Sequence, residues 1–307
     1  MTASVFIDGA VGTTGLEIAE RLAGRHEFSL LVLDEGRRKD AAARREALNE
    51  ADFAILCLPD DAAREAVELA AGSKVRIIDA STAHRVADGW TYGFPELIGH
   101  ERVAEAKRVS NPGCYPTGFL GLVAPLVRAG LLPTEWPYTV HAVSGYSGGG
   151  KALIQRFEDD GDIAFRAYGL GMGHKHLAEM QRHAGLAHAP VFSPAVIAAH
   201  RGMVVEVPLQ LSTIPGAGPA HALREWLANF YGESRIVRMG KEPECELLLR
   251  ASGGASDAME LFVFASEDGT QARLIAVLDN LGKGASGAAV QSLNLMAGLP
   301  ETAGLRL

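Results

Sequence analysis

Short apolar runs alternate with segments of helical spacing along the first third of the chain. The predicted strands are residues 4–7, 28–33, 53–58 and 75–79, of which 53–58 is apolar throughout. The segments with helical spacing are residues 16–23, 40–49 and 62–71. A continuous apolar run of this length is typical of a strand that is buried on both faces of a parallel sheet. Strands that alternate with helices and are joined by short loops predict a doubly wound α/β domain.

The pattern of apolar and polar residues changes in the second half of the chain. The segments predicted as strands there are residues 138–144, 204–209, 260–265 and 271–278. The last two are separated by Glu267-Asp268-Gly269, which is a hairpin signal. Residues 220–231 have amphipathic helical spacing, and Pro219 before them suits a helix start. We therefore predict that an α+β domain with a mostly antiparallel sheet follows the doubly wound domain.

The first predicted strand is followed at once by a glycine-rich segment that contains Gly9, Gly12, Thr13, Thr14 and Gly15. Between a strand and a helix, the first glycine makes the turn, the second admits a pyrophosphate, and the third lets the helix pack on the strand. Unpaired N–H groups at the helix start then bind the phosphates. The segment predicts a dinucleotide site in a Rossmann-like domain; a purely structural glycine turn is the alternative.

Charged residues follow the second predicted strand, where dinucleotide-binding domains contact the adenosine ribose. Asp34 and Glu35 are of the type that binds a ribose 2′-hydroxyl, whereas Arg37 and Arg38 are of the type that binds a 2′-phosphate. The run of cations favours NADP over NAD. The alternative is that these cations only form the solvated start of the helix at 40–49.

Residues 110–118, Ser-Asn-Pro-Gly-Cys-Tyr-Pro-Thr-Gly, join a short run that ends in an apolar residue to a long apolar run that fits a buried helix. Asn-Pro-Gly marks a tight turn before Cys114, and Pro116 suits the first turn of a helix. A cysteine at this junction lies at the positive end of the helix dipole, which favours the thiolate. We interpret Cys114 as a catalytic nucleophile. A small buried core cysteine is the alternative.

Two histidines, His174 and His176, flank Lys175 at the start of a helix that we predict from residue 169 onward. A histidine paired in space with Cys114 is the acid–base partner that nucleophilic catalysis requires. A solvated surface helix is the alternative. A metal site would need further ligands, and the other histidines nearby qualify only by proximity, so we predict no metal.

Residues 145–151, Gly-Tyr-Ser-Gly-Gly-Gly-Lys, nearly match a phosphate-binding P-loop. The next residue is Ala152, whereas the P-loop motif has a Ser or Thr that binds magnesium. We therefore exclude a P-loop phosphotransferase and interpret the segment as a flexible, backbone-lined loop that faces the active site.

Composition narrows the class of protein. The chain has 307 residues, of which 48% are hydrophobic and 21% charged, as in an ordinary globular protein. A net charge of −8 argues against nonspecific binding to nucleic acid or to anionic membranes. Three cysteines are too few for a disulfide framework; we expect Cys57 in the core and assign Cys245 no role. With no secretory signal or membrane span in the sequence, we expect a cytoplasmic protein.

Taken together, the motifs resemble the N-acetyl-gamma-glutamyl-phosphate reductase family in its shorter-chain subtype, within the wider aspartate-semialdehyde-dehydrogenase-like group. The matching stretches keep the order of the family and are residues 9–15, 79–85, 93–97, 110–117, 143–145, 174–176, 201–203, 279–287 and 291–299. The cysteine motif and the late Asp-Asn-Leu-Gly-Lys-Gly motif are specific in combination.

The resemblance implies an enzyme of arginine biosynthesis that reduces N-acetylglutamyl 5-phosphate to the 5-semialdehyde with NADPH and releases phosphate. An acyl phosphate is an activated acyl donor, and a thiolate is a suitable nucleophile for it, so we expect a Cys114 thioester. His174 is expected to act as base and acid. The candidate substrate-binding residues are His176, Arg85, Arg201 and Asn111. The candidate cofactor contacts beyond the glycine segment and the two arginines are Ser81, Ser144, Gly145 and Asn280.

We expect a discontinuous domain boundary. Residues 1–113 and 284–307 are assigned to the NADP-binding domain, and residues 114–283 to a catalytic and oligomerisation domain. Because family members assemble as dimers or tetramers, we expect a homo-oligomer, with the outer face of the antiparallel sheet as a candidate interface.

Two alternative functions stay open. One is a related reductase of aspartyl phosphate or carrier-linked aminoadipyl phosphate, and the other is a nonenzymatic NADP-sensing protein. For Arg201, capping the sheet is the alternative to binding a carboxylate.

Overall fold

The computed structural model describes residues 2–241, 243 and 246–307, and the chain divides into two compact units. Unit 1 comprises the described residues up to Gly113 together with Ala285–Leu305. Unit 2 comprises the described residues of Cys114–Gly284 together with Arg306–Leu307.

The elements are as follows in chain order. The strands are β1 (Ala3–Asp8), β2 (Phe28–Leu31), β3 (Phe53–Leu56), β4 (Arg76–Asp79), β5 (Thr91–Tyr92), β6 (Arg108–Ser110), β7 (Thr139–Gly145), β8 (Phe165–Ala167), β9 (Val191–Ile197), β10 (Met203–Leu209), β11 (Val237–Met239), β12 (Met259–Ala265) and β13 (Ala272–Leu278). The α-helices are α1 (Thr13–Leu22), α2 (Ala41–Glu50), α3 (Asp60–Leu69), α4 (Pro95–Ile98), α5 (His100–Glu105), α6 (Cys114–Arg128), α7 (Gly150–Asp159), α8 (Leu177–Ala184), α9 (Ala220–Phe230) and α10 (Gly287–Met296). Short 3₁₀ helices cover Tyr146–Gly149 and Leu211–Thr213, and a π-helix covers Gly282–Ser286.

Unit 1 is built on a parallel sheet with the strand order β2-β1-β3-β4-β6-β5. Successive residues of β1 enter different cores. Val5 and Ile7 pack with residues of α1 and α10, whereas Phe6 packs with residues of α2 and α3. A strand whose side chains are buried on both faces must be apolar throughout, which is the pattern that predicted it. The predicted doubly wound α/β domain is therefore confirmed.

Unit 2 is built on a second sheet with the strand order β11-β12-β13-β10-β7-β9-β8. Among its described strands, β7 pairs with β9 and β11 with β12 in parallel, and the other neighbours pair antiparallel. Helix α6 lies so close to this sheet that a Cβ at Gly118 would be 2.7 Å from the Val205 side chain. The predicted mostly antiparallel sheet is confirmed, and it is mixed.

The prediction of a flexible loop at 145–151 is wrong, because the segment is helical. Tyr146 begins a 3₁₀ helix that leads directly into α7. The ring of Tyr146 stacks on that of Phe157 at 5.1 Å, and its backbone N–H donates to the Ala199 oxygen over 2.8 Å. Glycine content alone favoured a loop, but these contacts hold the segment in place.

The helix expected from residue 169 begins only at Leu177. Three glycines, Gly169, Gly171 and Gly173, precede it, and glycine disfavours a helix interior. Between them, Met172 adopts a left-handed φ of +62°. His174 therefore lies in the loop before α8, and His176 occupies the N-cap position of that helix.

Candidate active site

The glycine-rich segment forms the turn between β1 and α1. Gly9 has a φ of +88°, and a Cβ there would lie 2.3 Å from the carbonyl oxygen of Cys57. A Cβ at Gly15 would lie 2.5 Å from the Gly9 oxygen, so packing requires glycine at both positions. Gly12 differs, because its nearest atom would be the Gly9 oxygen at 3.4 Å. Internal packing therefore leaves room for a side chain at residue 12.

The start of α1 has the properties of an anion site. Gly12 is the N-cap, no side chain caps the helix, and the first turn contains no acidic residue. Thr13 and Thr14 are the first helical residues and are half-buried. Backbone N–H groups without helical partners and the positive end of the helix dipole both attract phosphate. These residues fit the pyrophosphate of a dinucleotide.

A buried ion pair that the sequence analysis missed lies beside this turn. Arg44 of α2 donates from Nε to Asp8 Oδ2 over 3.0 Å and from Nη1 to Glu65 Oε2 over 2.6 Å. Burial raises the pKa of Asp8, and Arg44 opposes that rise. Arg44 shares its helix face with the buried Ala47 and Leu48, whereas its neighbour Arg45 is exposed. Helical spacing was thus the available signal.

The two arginines proposed for a 2′-phosphate lie at the surface in weak ion pairs. Arg37 contacts Glu46 over 2.7 Å, and Arg38 contacts Glu35 over 3.0 Å. The Arg37 side chain is 54% exposed, and exposed pairs contribute only about 0–1 kcal/mol. Both guanidinium groups are therefore free to exchange these partners for a phosphate at small cost.

At the carboxyl end of β4, the buried Asp79 organises the following loop. Its carboxylate accepts hydrogen bonds from Ser81 N over 2.9 Å and from Ser81 Oγ over 2.7 Å. His84 Nδ1 lies 2.6 Å from Asp79 Oδ2, and the His84 ring stacks on Trp90 at 4.1 Å. The sequence analysis assigned a role to Ser81 but assigned none to Asp79, His84 or Trp90. An Asp at the end of a predicted strand was the available signal.

Arg85 and Asn111 are joined in the same region of unit 1. Arg85 is buried and donates from Nε to the Asn111 carbonyl oxygen over 3.0 Å and from Nη2 to the Ala80 oxygen over 3.1 Å. Asn111 is also buried, and its N–H donates to the Asp79 oxygen over 2.7 Å. Backbone carbonyls thus occupy much of the Arg85 guanidinium.

In unit 2, Cys114 is a half-buried cysteine at the first residue of α6 and forms no disulfide bond. Pro116 follows in the first turn, where its missing N–H has no helical acceptor to lose. A Cβ at Gly284 would lie 2.9 Å from the Cys114 Cβ. The nucleophile candidate therefore has a glycine of the late motif packed directly against it.

Aromatic and histidine rings cluster around Tyr115, the residue after Cys114. The Tyr115 ring lies 6.1 Å from His174, 5.9 Å from His176 and 5.1 Å from Phe192, measured between centroids. The Tyr115 hydroxyl donates to the Ala195 carbonyl oxygen over 3.0 Å, and burial raises the pKa of both the Tyr115 and the Tyr168 phenol. The fold of unit 2 thus brings the cysteine motif and the histidine motif together.

His174 is neutral at physiological pH in this setting. Burial, and secondarily the charge of Lys175, lower the pKa of His174 to about 4. The backbone N–H of His176 donates to His174 Nδ1 over 3.2 Å. Because Nδ1 accepts this bond, the neutral ring carries its proton on Nε2.

Arg201 is engaged by a carboxylate of its own unit. Its Nη1 donates to Asp279 Oδ2 over 3.0 Å. The other oxygen of Asp279 accepts from Leu281 N over 2.9 Å. Arg201 also lines a cavity of about 250 Å³ together with Arg238 and Arg250. The pair with Asp279 fits the capping alternative, and the carboxylates of Asp279 and Glu260 line the same cavity.

Ser144, Gly145 and Asn280 meet at the end of β7. Asn280 is buried; its Oδ1 accepts from Gly202 N over 2.9 Å, and its Nδ2 donates to Ser147 Oγ over 3.0 Å. A Cβ at Gly148 would lie 3.2 Å from Ser144 Oγ and 3.4 Å from Asn280 Nδ2. The predicted cofactor residues of unit 2 therefore form one polar patch.

The remaining predictions concern metal, membrane and the other cysteines. No group of three or more metal-ligating side chains occurs among the described residues. None of the helices described here has the length and apolarity to cross a bilayer. Cys57 packs against the unit 1 core, and burial raises its pKa to about 12. Cys245 lies outside the described residues.

Comparison with known proteins agrees with this two-part arrangement. Residues 4–106 match the family described as semialdehyde dehydrogenase, NAD binding domain, and residues 114–280 match semialdehyde dehydrogenase, dimerisation domain. Aspartate semialdehyde dehydrogenase II from Vibrio cholerae superposes with a TM-score of 0.74 at 18% identity, covering 97% of this chain and 99% of that one. At this identity, the likeness shows the fold alone.

Sequence relatives are much closer. N-acetyl-gamma-glutamyl-phosphate reductase of Trichormus variabilis is 49% identical, covering 98% of each chain. N-acetyl-gamma-glutamyl-phosphate reductase 2 of Pseudomonas putida is 50% identical, covering 99% of each. The chain therefore belongs to the N-acetyl-gamma-glutamyl-phosphate reductase family of semialdehyde dehydrogenase-like proteins, as its motifs predicted.

Proposed function

We propose that this protein reduces N-acetyl-L-glutamyl 5-phosphate to N-acetyl-L-glutamate 5-semialdehyde with NADPH in arginine biosynthesis, with release of phosphate. Family membership at about half identity over nearly the full chain supports the substrate. The observation that carries the chemistry is Cys114 at the first residue of α6, next to the Tyr115 ring that His174 and His176 approach. A thiolate on a helix N-terminus is the nucleophile that an acyl phosphate requires.

Cys114 carries the acyl group through the reaction. Its sulfur attacks the acyl carbon, phosphate leaves with the bonding electrons, and a thioester remains. When bound, the nicotinamide cofactor supplies the hydride that reduces this thioester to a thiohemiacetal. The carbon–sulfur bond then breaks, which releases the aldehyde and restores the Cys114 thiol.

We propose that His174 acts on the oxygen of the tetrahedral intermediates. Its neutral ring carries a proton on Nε2, because Nδ1 accepts from the His176 backbone. That resting state fits donation of a hydrogen bond to a developing oxyanion better than removal of the thiol proton. The N-terminus of α6 favours the Cys114 thiolate without a base.

The cofactor is bound by unit 1, and we propose that it is NADP. The α1 N-terminus with Gly12, Thr13 and Thr14 would hold the pyrophosphate. Arg37 and Arg38, which are held only in exposed ion pairs, would bind the 2′-phosphate. Ser81 is a further candidate cofactor contact of unit 1, and in unit 2 the candidate contacts near the nicotinamide are Ser144, Gly145 and Asn280.

For the substrate anions we propose His176 and Arg201 as contacts, with Arg85 and Asn111 shaping the segment before Cys114. We also propose a dimer or tetramer, since the family matched by unit 2 is described as a dimerisation domain. The sheet face opposite α6 is the candidate interface.

The reverse reaction tests this function. N-acetylglutamate semialdehyde, phosphate and NADP⁺ are supplied, and NADPH absorbance is followed. Phosphate-dependent NADPH formation supports the proposal. Activity with aspartate semialdehyde instead would support the same reaction chemistry and would assign a different substrate to the enzyme. Silence with both aldehydes in a folded, NADP-binding protein would favour a sensor.

A further inference from the structure

The chain passes from unit 1 to unit 2 after Gly113, returns to unit 1 after Gly284, and enters unit 2 again after Leu305. On the unit 1 side, Asn111 Nδ2 donates to the Ala285 carbonyl oxygen over 3.0 Å. On the unit 2 side, a Cβ at Gly284 would lie 2.9 Å from the Cys114 Cβ. Asn111 on the outgoing segment thus contacts the returning segment within unit 1, and Cys114 contacts it within unit 2.

The backbone of Asn111 is fixed from both directions. Its N–H donates to the Asp79 oxygen over 2.7 Å, and its carbonyl accepts from Arg85 Nε over 3.0 Å. The residue is 1% exposed. With the side-chain bond to Ala285, Asn111 is tied to β4, to the loop after β4 and to the returning segment.

Only Pro112 and Gly113 separate Asn111 from Cys114. The proline ring fixes its own φ and restricts the residue before it, so the link is short and partly rigid. A shift of Asn111 is therefore passed on to the start of α6. A misplacement of about 1 Å at a reacting group can cost on the order of 100-fold in rate.

We propose that Asn111 is a positioning residue for Cys114: its side-chain amide holds the outgoing segment against the returning one and so fixes the sulfur. This inference rests on the proposed function, since it takes Cys114 as the nucleophile. A competing role exists for the same side chain, because Asn111 Oδ1 is buried and has no hydrogen-bond partner in the described structure. That oxygen would suit a substrate N–H.

The test compares Asn111→Ala and Gly284→Ala in the full chain with a matched control, Asn49→Ala. Asn49 also donates its side-chain amide to a backbone oxygen, that of Arg45 over 2.9 Å, but on an exposed helix. Each variant is measured for kcat and KM in the reverse reaction, for the alkylation rate of Cys114 by iodoacetamide at pH 7, and for its thermal midpoint. Peptide mass spectrometry locates the alkylated cysteine.

The expected result is a kcat that falls about 10- to 100-fold in Asn111→Ala, with KM within about threefold. Cys114 alkylation slows in Asn111→Ala and in Gly284→Ala and is unchanged in Asn49→Ala. If Asn111→Ala does not fold, Asn111→Asp, which keeps the shape of the side chain but loses the N–H donor to the Ala285 oxygen, is measured in the same way and should also slow alkylation.

Two results would overturn the proposal. A raised KM with unchanged kcat and alkylation assigns Asn111 to substrate binding through Oδ1. A lowered midpoint with unchanged kcat and alkylation assigns it to stability alone. Full activity in Cys114→Ser is a separate outcome that removes the proposed function itself, whatever Asn111 does.

Discussion

The candidate cofactor site and the candidate catalytic site are made of different parts of the chain. In unit 1, we propose that backbone atoms form the phosphate part of the site: Gly9 and Gly15 are required by the packing of the turn, and Gly12 leaves the approach to the start of α1 open. In unit 2, side chains form it: Cys114 comes from α6, and His174 comes from the loop before α8. A backbone site is sensitive to an added Cβ, whereas a side-chain site is sensitive to lost functional groups.

This difference between the two sites predicts which substitutions should impair cofactor binding and which should impair turnover. In the proposed site, binding of the cofactor pyrophosphate depends on space and on unpaired N–H groups, which most substitutions leave unchanged. Chemistry depends on single atoms that cannot be replaced. Substitutions in the two units should therefore separate binding from turnover, and each prediction below tests that separation.

The largest effect is expected for Cys114→Ser. Without the thiolate there is no acyl acceptor, so activity should fall by at least ~10⁴-fold, as for other catalytic nucleophiles. NADPH binding, followed by cofactor fluorescence, should stay within about twofold of wild type. A comparable loss of cofactor affinity would break the separation between the units.

Substitutions of His174 should show whether its ring donates a hydrogen bond to an oxyanion or transfers a proton. Removal of the ring in His174→Ala should lower kcat by ~10²–10⁴-fold. His174→Asn retains an N–H donor and should recover about tenfold of that loss if the ring donates to an oxyanion. Equal losses in both variants would instead indicate proton transfer by the imidazole. Steady-state kcat at pH 7.5 is the measurement.

Gly12→Ala should weaken the cofactor without harming the fold. The added Cβ meets only ordinary contacts inside unit 1, but it occupies the approach to the α1 N-terminus. Loss of a charge-assisted hydrogen bond predicts a Kd for NADPH raised about 10- to 100-fold, with an unchanged thermal midpoint. Gly161→Ala, where a Cβ meets nothing within 4 Å, is the control. Unchanged affinity in Gly12→Ala would contradict a backbone-built site.

Replacing Arg37 and Arg38 together by Gln should change cofactor preference only. The ratio of kcat/KM for NADP over NAD should fall about tenfold, which corresponds to about 1.4 kcal/mol. Arg64→Gln removes a similarly exposed ion pair, that with Asp61, and should leave the ratio unchanged. An unchanged ratio in the double variant would indicate that both arginines are solvated surface residues without a role in cofactor preference.

The smallest effect concerns stability and pH. The pKa of His174 is about 4 in the folded protein, below its ordinary 6.5, so the unfolded chain binds more protons between these values. His174 therefore makes stability fall as pH drops from 6.5 toward 4. Between pH 7.5 and pH 5, the thermal midpoint of wild type should fall by about 2 °C more than that of His174→Ala. Equal falls would show that His174 titrates normally.

The fold was predictable wherever a local pattern determined the outcome. Strands buried on both faces leave apolar runs such as 53–58, and the turn at Gly9–Gly15 is contiguous, so both were visible in the sequence. The loop before α8 was mispredicted, since three glycines outweighed the helical signal. The 3₁₀ helix after β7 was missed because the Tyr146–Phe157 stack that holds it is not a nearest-neighbour pattern.

For the same reason, only part of the candidate site could be predicted from the sequence. Cys114 and His174 carry recognisable motifs, and the fold brings their neighbourhoods together through Tyr115. The Asp79–His84 pair and the Arg44–Asp8 pair are tertiary contacts, and although helical spacing marked Arg44 as buried and a strand end marked Asp79, the sequence did not show which residues they pair with. For Arg201 the sequence left open whether it binds a carboxylate or caps the sheet, and the structure pairs it with Asp279, which the sequence did not identify as its partner.

The central claim is that Cys114 carries the acyl group, and a reaction without phosphate tests it most directly. N-acetylglutamate semialdehyde and NADP⁺ are mixed with the enzyme, and the NADPH burst and the intact protein mass are measured. We predict about one NADPH per active site and an acyl group on the Cys114 peptide, released by added phosphate and absent in Cys114→Ser. Continuous turnover without phosphate, or an acyl group on another residue, would contradict the account.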